Sequence, residues 1–473
     1  MRAAGAILLV ACYELGHQPL NLASPLAMLR RAGFSPVAID TSVSELSDDA
    51  IAAAHLVAIS APMHTALRLG ARVGARVREL NPTAHICFYG LYATLNADYL
   101  LRDLADSIIG GEYEEALLSL AESLASSNGS ASEVIPGVRT RDHDESPVLR
   151  RLGYVAPERA SLPAPQSYAY LVRGDEVVPA GYVEATRGCL HTCAHCPITP
   201  VYGGRFFAIP RPLVLEDIRA QVRAGVGHIT FGDPDFLNGP RHSLEIVRAM
   251  HAEFPDVTFD ATIKVEHILE RREVFPELAS LGCAFVVSAV ESLSEGVLRH
   301  LRKGHTRADV AEALAILNGA GIPMRPTFVA FTPWTTACDY LDVLDFIAEN
   351  ELIEHVDPIQ YAIRLLVPPN SALLDDPDGR GWLGPLDEEA LSYTWPHPDP
   401  RMDALQREVQ ALVERAANQR EPIAVTFAAI QRLAAERLDA REPALVGAGS
   451  SDTRGTLKRA RRPIPHLSEP WFC

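Results

Sequence analysis

Short apolar runs alternate with helical patterns along two long stretches of this chain, and this alternation limits it to an α/β fold. In the first 125 residues, helical patterns separate five strand patterns, which lie at 6–11, 36–39, 55–60, 85–89 and 107–109. Strands that alternate with helices predict βαβ units and a mostly parallel sheet. We therefore expect residues 1–125 to form a doubly wound, flavodoxin-like α/β domain that binds a ligand at the carboxyl edge of its sheet.

The same alternation returns between residues 176 and 367. Six strand patterns lie in this stretch, at 182–185, 228–231, 258–263, 284–289, 324–331 and 359–366. Six βα units predict a partial (βα)6 barrel, in which ligands bind at the carboxyl ends of the strands. We expect this barrel to be the second domain of the chain.

The remaining segments differ in composition from these two domains. Residues 126–175 combine a Ser/Gly stretch, a run of charges and several prolines, which predicts a solvated linker. Residues 368–440 carry two helical patterns and predict a mostly helical C-terminal extension. Residues 441–473 begin with Gly and Ser and continue through a basic cluster, so we expect a flexible tail.

Composition excludes several classes of protein. The 473 residues are 48% hydrophobic, which is enough to bury large cores, and the net charge of −17 argues against a nucleic-acid partner. No apolar run reaches the roughly 20 residues that a membrane span needs. Eight cysteines are too few for a disulfide scaffold. We therefore expect a soluble cytoplasmic protein with reduced thiols and no membrane partner.

Three cysteines stand close together directly after the first predicted barrel strand. Cys189, Cys193 and Cys196 have the spacing C-x3-C-x2-C. Three thiolates can hold a [4Fe–4S] cluster and leave its fourth iron open to an outside ligand, as reductive chemistry on a small molecule requires. A structural zinc completed by His191 or His195 is the alternative, and it would make the chain a zinc-stabilised ligand-binding module.

On this motif the sequence resembles the radical S-adenosylmethionine (SAM) superfamily, with His195 in the position usually held by an aromatic residue. The resemblance implies that Cys189, Cys193 and Cys196 bind the cluster and that SAM binds the open iron. It implies reductive cleavage of SAM to a 5′-deoxyadenosyl radical that acts on a small-molecule substrate. It also implies an electron donor such as flavodoxin or ferredoxin. A degenerate paralogue that binds SAM without cleaving it remains an alternative.

Two further segments resemble SAM-binding segments of the family. Phe231–Phe236 ends the second strand, where the family holds the SAM amino group, so the resemblance assigns Gly232 and Asp233 to cofactor binding. Ser288 and Glu291 end the fourth strand in a stretch that resembles radical SAM enzymes with a cobalamin-type N-terminal domain. The resemblance implies that these two side chains approach the ribose or carboxylate of SAM.

Four more side chains are candidates. Lys264 and Arg325 lie on the third and fifth strands, and either could be a buried cation for the SAM carboxylate. Ion pairs inside the barrel are the alternative for both. Tyr202 and Arg205 flank two glycines just after the cysteines, which predicts a wall of the substrate cavity and a catalytic contribution. An ordinary glycine turn is the alternative there.

The first domain resembles the cobalamin-binding fold that precedes the barrel in many radical SAM methylases and cyclases. The matching stretches are Gly16–Gly33 and Gly110–Glu112. The Asp-x-His-x-x-Gly motif that supplies a lower cobalt ligand is absent, and many relatives bind cobalamin without it. The resemblance thus adds cobalamin as a candidate third cofactor and methylation as a candidate reaction, with His17 either a ligand or a core histidine.

The tail ends Ser468-Glu469-Pro470-Trp471-Phe472-Cys473. It resembles a radical SAM group with a Cys-Cys-Ala-Glu-Pro or Cys-selenocysteine-Ala-Glu-Pro tail (the CCAEP/CUAEP group). Because this sequence stops after one cysteine, we expect the natural protein to continue past a UGA codon read as selenocysteine. The resemblance makes Cys473 a candidate catalytic residue, as a reductant, thiol donor or metalloid ligand. Carbon–sulfur, carbon–selenium or carbon–arsenic bond formation is therefore a second candidate reaction.

Overall fold

The computed structural model describes residues 1–126, 134–375, 380–438 and 464–469. Its N-terminal unit is a six-stranded sheet in the order β2-β1-β3-β4-β5-β6, parallel except for the antiparallel last strand. The strands are β1 (Ile7–Ala11), β2 (Val37–Asp40), β3 (Leu56–Ser60), β4 (His85–Tyr89), β5 (Ser107–Ile109) and β6 (Val138–Arg139). The helices are α1 (Leu20–Arg31), α2 (Asp48–Ala53), α3 (His64–Leu80), α4 (Leu91–Leu95), α5 (Ala97–Asp103) and α6 (Glu114–Ser126).

This sheet is buried on both of its faces. Every residue of β1 and of β3 is buried, so both strands read as continuous apolar runs rather than as alternating ones. Such runs are typical of parallel strands that carry helices on both sides. The doubly wound fold predicted for the first domain is confirmed.

Residues 134–169, within the predicted linker, pack against both units. Val138–Arg139 adds the antiparallel edge strand to β5. The buried guanidinium of Arg159 donates to both carboxylate oxygens of Asp217, at 2.9 and 2.8 Å, and to the carbonyl of Gln18 at 3.1 Å. Gln18 belongs to the first unit and Asp217 to the second, so Arg159 joins them. The composition of the predicted linker does not reveal this contact, because a single arginine side chain makes it.

The second unit is a seven-stranded sheet in the order β14-β13-β12-β11-β8-β7-β17. The five strands from β8 to β14 along this order are parallel, while β7 and β17 extend the sheet as antiparallel strands. The strands of this part of the chain are β7 (Tyr170–Arg173), β8 (Glu176–Val183), β9 (Thr186–Gly188), β10 (Phe206–Ala208), β11 (His228–Phe231), β12 (Thr258–Thr262), β13 (Cys283–Glu291), β14 (Met324–Phe328), β15 (Leu386–Asp387), β16 (Ser392–Tyr393) and β17 (His466–Leu467). The partial barrel is confirmed.

Helices cover the outer side of the barrel and form the C-terminal extension. They are α7 (Ile198–Tyr202), α8 (Arg211–Arg223), α9 (Pro240–Glu253), α10 (Val265–Glu270), α11 (Phe275–Ser280), α12 (Glu295–Leu301), α13 (Arg307–Ala320), α14 (Ala337–Glu349), α15 (Pro400–Gln419) and α16 (Ile423–Arg437). The last helix packs on the barrel through Phe427, whose ring centroid lies 5.4 Å from that of Tyr361.

The sixth predicted barrel strand, 359–366, is not a regular strand. Residues Pro358–Tyr361 form a 3-10 helix, and one isolated parallel bridge joins Phe331 to Arg364. The side-chain oxygen of Gln360 accepts the Phe328 N–H at 2.9 Å. The Phe328 N–H lies at the edge of β14 where a sixth strand would have paired. The hydrogen bond to Gln360 gives this N–H a partner without a strand beside it.

Within the described parts of the chain, no helix is both long enough and apolar enough to cross a membrane.

The loop after β1 contains a carboxyl group whose ionisation opposes folding. Burial raises the pKa of Glu14 to about 8, against a hydrogen bond from the Asn21 N–H that lowers it. The folded protein therefore holds this proton more tightly than the unfolded chain does. Its contribution to stability is complete below the unfolded pKa, near 4.5, and is lost as the pH rises towards 8.

We expect Glu14→Gln to flatten the pH dependence of stability. The variant keeps the shape of the side chain and cannot ionise, so its midpoint of thermal unfolding should fall less between pH 5 and pH 8 than that of the natural chain. Glu122→Gln, at an exposed position, is the control and should keep the natural slope. Equal slopes for the natural chain and Glu14→Gln would contradict the assignment.

Candidate functional site

A cavity of about 460 Å³ lies between the carboxyl edges of the two sheets. The first unit contributes residues that follow its strands, among them His17, Met63 and Gly111. The barrel contributes the three cysteines and side chains at its strand ends. The volume is within the range of small-molecule sites, and parallel sheets place ligands at this edge.

The cysteines lie on a loop that a short hairpin holds in place. Strand β9 pairs antiparallel with β10, and residues 189–205 connect the two. Gly188 begins the loop with φ +76°, and a Cβ there would lie 2.4 Å from the carbonyl oxygen of Arg205. Only glycine suits both this backbone conformation and this close approach. The loop geometry therefore depends on the residue directly before Cys189.

All three thiols line the cavity. Burial raises the pKa of the Cys196 thiol to about 12, and the nearby Cys193 and Cys189 raise it further while Lys303 lowers it. The three thiols thus share one cavity wall and each disfavours the negative charge of the others. Deprotonated together they would need a cation among them, which fits a metal centre held by three thiolates.

The two histidines of the loop contact carboxylates. The Nε2 atom of His195 lies 3.1 Å from Oε1 of Glu291, and that of His191 lies 3.5 Å from Oδ2 of Asp235. Each imidazole nevertheless keeps one buried nitrogen without a hydrogen bond, Nε2 of His191 and Nδ1 of His195. Either nitrogen could complete a three-cysteine, one-histidine zinc site, so these contacts alone do not choose between zinc and an iron–sulfur cluster.

Glu291 ends β13 in an uncommon backbone conformation, with φ +65°. Its carboxylate lies 3.4 Å from the buried ammonium of Lys303. Burial alone would raise the pKa of Glu291, but Lys303 and His195 outweigh burial and lower it to about 2. Burial likewise opposes the charge of Lys303, yet Glu291, Cys193 and Cys196 raise its pKa. The thiols therefore have a fixed positive charge beside them.

Ser288 was expected near SAM, but it lies on the other side of its strand. Val287, Ala289 and Glu291 line the cavity, whereas Ser288 is fully buried outside that lining. Successive side chains of a strand point to opposite faces, so Ser288 and Glu291 cannot both follow a regular pleat into one site. Val287, Ala289 and Glu291 are spaced by two residues, so the alternation along β13 brings Glu291 into the cavity and leaves Ser288 on the opposite face.

Asp233 lines the cavity, but its carboxylate holds the chain in front of the cysteines. It accepts the Ala185 N–H at 2.9 Å and the Thr186 hydroxyl at 2.5 Å. Burial raises its pKa to about 7, while these two hydrogen bonds lower it. The neighbouring Gly232 makes room for the ring of Tyr182, which a Cβ at Gly232 would meet at about 2 Å.

We expect Gly232→Ala to destabilise the protein by about 1–3 kcal/mol, because the methyl group must displace the buried Tyr182 ring. Chemical denaturation measures this change. The matched control is Gly319→Ala in α13, where a Cβ has open space. That substitution should be neutral or stabilising by up to about 1 kcal/mol, because alanine favours the helix. Equal effects of the two substitutions would contradict this prediction.

Lys264 and Arg325 both line the cavity, and both have carboxylate partners. Lys264 contacts Glu266, and the Arg325 guanidinium donates to Asp357 at 2.9 Å. Both cations therefore form the ion pairs that were the alternative to SAM binding. A role of either cation in binding the SAM carboxylate stays a prediction.

Tyr202 and Arg205, predicted as a pair, lie in different surroundings. Tyr202 lines the cavity and donates its hydroxyl to Glu112 at 3.0 Å. Arg205 is exposed and lies outside the cavity wall, contrary to expectation. Helix α7 ends at Gly203 in a left-handed conformation, which directs the following residues towards solvent.

Sequence reasoning assigned no role to a buried ion cluster at the junction of the two units. The guanidinium of Arg187 lies 2.7 Å from Glu114, 2.8 Å from Glu184 and 3.5 Å from Glu112. Two of these glutamates come from the first unit, and Glu184 precedes the cysteine loop. The sequence did contain a signal for this cluster, because its charged residues lie at the ends of two strands that were predicted to be buried. Charges in such positions must be paired once the two units pack together.

The cavity is also lined by a histidine of the first unit and by two residues of the tail. His17 lines the cavity, its ring centroid lies 5.2 Å from that of Tyr182, and its Nδ1 is buried without a hydrogen bond. Burial lowers the pKa of His17 to about 4. In the tail, β17 pairs with β7, and Leu467 and Glu469 also line the cavity. Cys473 lies outside the described residues.

Comparison with known proteins agrees with this geometry. Residues 183–347 match the sequence profile of the Radical SAM superfamily. The hopanoid C-3 methylase of Methylococcus capsulatus is 26% identical over 233 residues, which are 49% of this chain and 44% of the methylase. A protein of Methanocaldococcus jannaschii provisionally assigned as a methylthiotransferase is 25% identical over 195 residues, which are 38% of this chain and 41% of that protein. The chain thus spans less than half of either relative.

The fold is also that of a solved enzyme. The cobalamin-dependent SAM radical enzyme OxsB, with aqua-cobalamin and SAM bound, superposes with a TM-score of 0.66 over 87% of this chain and 66% of that chain, at 14% sequence identity. The likeness covers both units, so the two proteins share the arrangement of an N-terminal α/β unit and a partial barrel.

Proposed function

We propose that this chain, which carries a radical SAM domain over residues 183–347, cleaves SAM reductively at a [4Fe–4S] cluster and acts on a small molecule held between its two units. We further propose that cobalamin binds at the carboxyl edge of the N-terminal sheet and that the reaction is a methylation. One observation carries the proposal: a single cavity contacts both the three cysteines and the loops of the first sheet.

The donor set suits the cofactors. Cys189, Cys193 and Cys196 would hold the cluster, and the buried imidazole of His17 is a candidate nitrogen ligand for cobalamin. When bound, the cluster supplies one electron to SAM and cobalamin carries a methyl group.

The chain's own residues hold the site together and limit the access of water. Lys303 offsets the negative charge of the thiolates from a fully buried position. Asp233 fixes the backbone that leads into the loop. Tyr202 and the ion cluster around Arg187 close the junction of the two units beside the cavity. A closed junction strengthens electrostatic interactions inside it and protects a reactive species from solvent.

The partners and compartment are proposals of the same kind. A radical SAM domain needs a small-molecule substrate and a reductant. We propose flavodoxin or ferredoxin as the electron donor and the reducing cytoplasm as the location, because the thiols must stay available to iron.

Anaerobic reconstitution with iron, sulfide and hydroxocobalamin tests the proposal. About four irons per chain, a bound corrin spectrum, and formation of 5′-deoxyadenosine from SAM and dithionite would support it. About one zinc on the thiols without SAM cleavage would identify a zinc-stabilised binding module instead. A complete cluster that binds SAM without cleaving it would identify a degenerate paralogue. A cluster that cleaves SAM in a protein that binds no corrin would overturn only the cobalamin and methylation parts of the proposal.

The tail supports a second candidate, bond formation to sulfur, selenium or arsenic with Cys473 as the reactive thiol. The observation that favours it is the position of Leu467 and Glu469 in the cavity wall. Cys473 follows Glu469 by four residues, which span at most about 14 Å of extended chain. The proposal is that the Cys473 thiol reacts with a species held in this cavity.

Alkylation rates test this second candidate. We expect SAM to slow alkylation of Cys473 several-fold, measured by mass spectrometry of the full chain. The exposed Cys338 is the internal control and should react at the same rate with and without SAM. Unchanged reactivity of Cys473 would count against a role in the cavity.

A further inference from the structure

A cluster of two imidazoles and one carboxylate lies beside the cysteine loop. His191 comes from that loop, Asp235 from the turn after β11, and His267 from α10. One donor atom from each residue can be chosen so that all three atoms lie within 4.8 Å of one another. The cluster therefore connects three segments that are far apart in the sequence.

The carboxylate of Asp235 is fully buried and divides its two oxygens between two tasks. Oδ1 accepts the Leu237 N–H at 3.1 Å and caps the turn. Oδ2 lies 2.7 Å from Nδ1 of His267 and 3.5 Å from Nε2 of His191. Oδ2 and both imidazole nitrogens are nevertheless buried without a properly aligned hydrogen bond.

These three buried atoms lie within 4.8 Å of one another without an aligned hydrogen bond, and a common partner would remove the cost of burying them unpaired. Ligands of one tetrahedral zinc lie about 3.3 Å apart, between the 3.5 Å from His191 to Asp235 and the 2.7 Å from Asp235 to His267. Glu266 lies 3.6 Å from the second nitrogen of His191, where an outer carboxylate orients a metal-bound imidazole.

We propose that His191, Asp235 and His267 bind one divalent transition-metal ion, with zinc as the best match, separate from the centre on the three cysteines. Two imidazoles and a carboxylate are a donor set that zinc accepts, with water in the fourth position. The ion ties the cysteine loop to the strand-end segments that follow β11 and β12. Its binding does not depend on SAM cleavage or on cobalamin, so the proposal stands apart from the function proposed above.

Cobalt(II) is the probe, in a full-length variant with Cys189, Cys193 and Cys196 all replaced by serine. We expect about one cobalt per chain, visible d–d absorption, no thiolate charge-transfer band, and displacement by zinc. Asp235→Asn and His267→Gln should each weaken cobalt binding by more than about 100-fold, because even outer residues of metal sites matter by 10–100-fold. His55→Gln, at an exposed histidine, is the matched control and should bind cobalt normally.

A cluster-loaded sample covers the case in which the serine variant does not fold. The natural chain, reconstituted with iron and sulfide and then dialysed against zinc, should retain about one zinc in addition to its iron. Asp235→Asn should lose the zinc and keep the iron. Absence of stoichiometric binding, or binding that neither Asp235→Asn nor His267→Gln alters, would show that the cluster is a plain His–Asp ion pair and overturn the proposal.

Discussion

Cys193→Ala is expected to abolish the cleavage of SAM, by at least ~1,000-fold, and to remove most of the iron from the reconstituted protein. Cys193 is buried in the cavity wall and is the middle cysteine of the three proposed ligands. Two remaining thiolates cannot hold a [4Fe–4S] cluster whose fourth iron must stay open, so no single neighbouring side chain compensates. Iron content, absorbance of the iron–sulfur bands and 5′-deoxyadenosine by chromatography measure the two losses separately.

The control separates cluster loss from general thiol damage. Cys338→Ala removes an exposed thiol at the start of α14 and should leave iron content and SAM cleavage unchanged. Cys193→Ala without iron should still unfold cooperatively, with only the small loss of stability that removing one buried sulfur atom causes. Retained cleavage in Cys193→Ala would refute the ligand assignment, and so would the same loss in Cys338→Ala.

The α/β architecture was predictable because its signals are local. Strands buried on both faces, such as β1 and β3, are short apolar runs between helical patterns, and this periodicity needs no knowledge of tertiary contacts. That the three cysteines share one site was predictable for the same reason, since they lie within one tight segment. The prediction of a sixth barrel strand was wrong because it depends on a contact between distant residues. The Phe328 N–H donates to the side chain of Gln360, which is 32 positions away.

The site residues show where local signals end. Ser288 and Glu291 belong to one motif, but the alternation of side chains along β13 brings only Glu291 into the cavity. The exposure of Arg205 depends on the residue at which α7 ends. Whether a residue faces a ligand is therefore set by the pleat and by the turn rather than by residue type.

Clusters that are assembled from distant segments were beyond the reach of single-sequence reasoning. The Arg187 cluster joins residues 73 positions apart, and the His191–Asp235–His267 cluster joins a loop, a turn and a helix. Each member alone is an ordinary polar residue. Only the approach of the two sheets, or of neighbouring strand ends, makes them a unit.

The Arg187 cluster leads to the largest expected effect on stability. Arg187→Met should lower the free energy of unfolding by about 3–5 kcal/mol, because it leaves three buried carboxylates without their cation. Chemical denaturation of the metal-free chain measures the loss without interference from cofactors. Arg219→Met, which breaks an exposed pair with Glu253, is the matched control and should leave the free energy of unfolding nearly unchanged.

The loss should also depend on pH in a defined direction. Burial already raises the pKa of Glu112 and of Glu184, and Arg187 is the main group that lowers both values. Without Arg187 the folded protein holds these protons still more tightly, so its stability must fall as the pH rises above the unfolded pKa of the carboxyls. The difference in the free energy of unfolding between the natural chain and Arg187→Met should therefore be larger at pH 8 than at pH 6.

A double substitution distinguishes uncompensated charge from lost packing. Glu184→Gln removes one of the stranded carboxylates while keeping its shape, so Arg187→Met combined with Glu184→Gln should be more stable than Arg187→Met alone. In the natural background, Glu184→Gln should destabilise, because it deprives Arg187 of a 2.8 Å partner. This reversal of sign requires that charge balance across the junction holds the two units together. If Glu184→Gln destabilised both backgrounds equally, packing of the Arg187 side chain against Tyr113 and Tyr154 would be the dominant contribution instead.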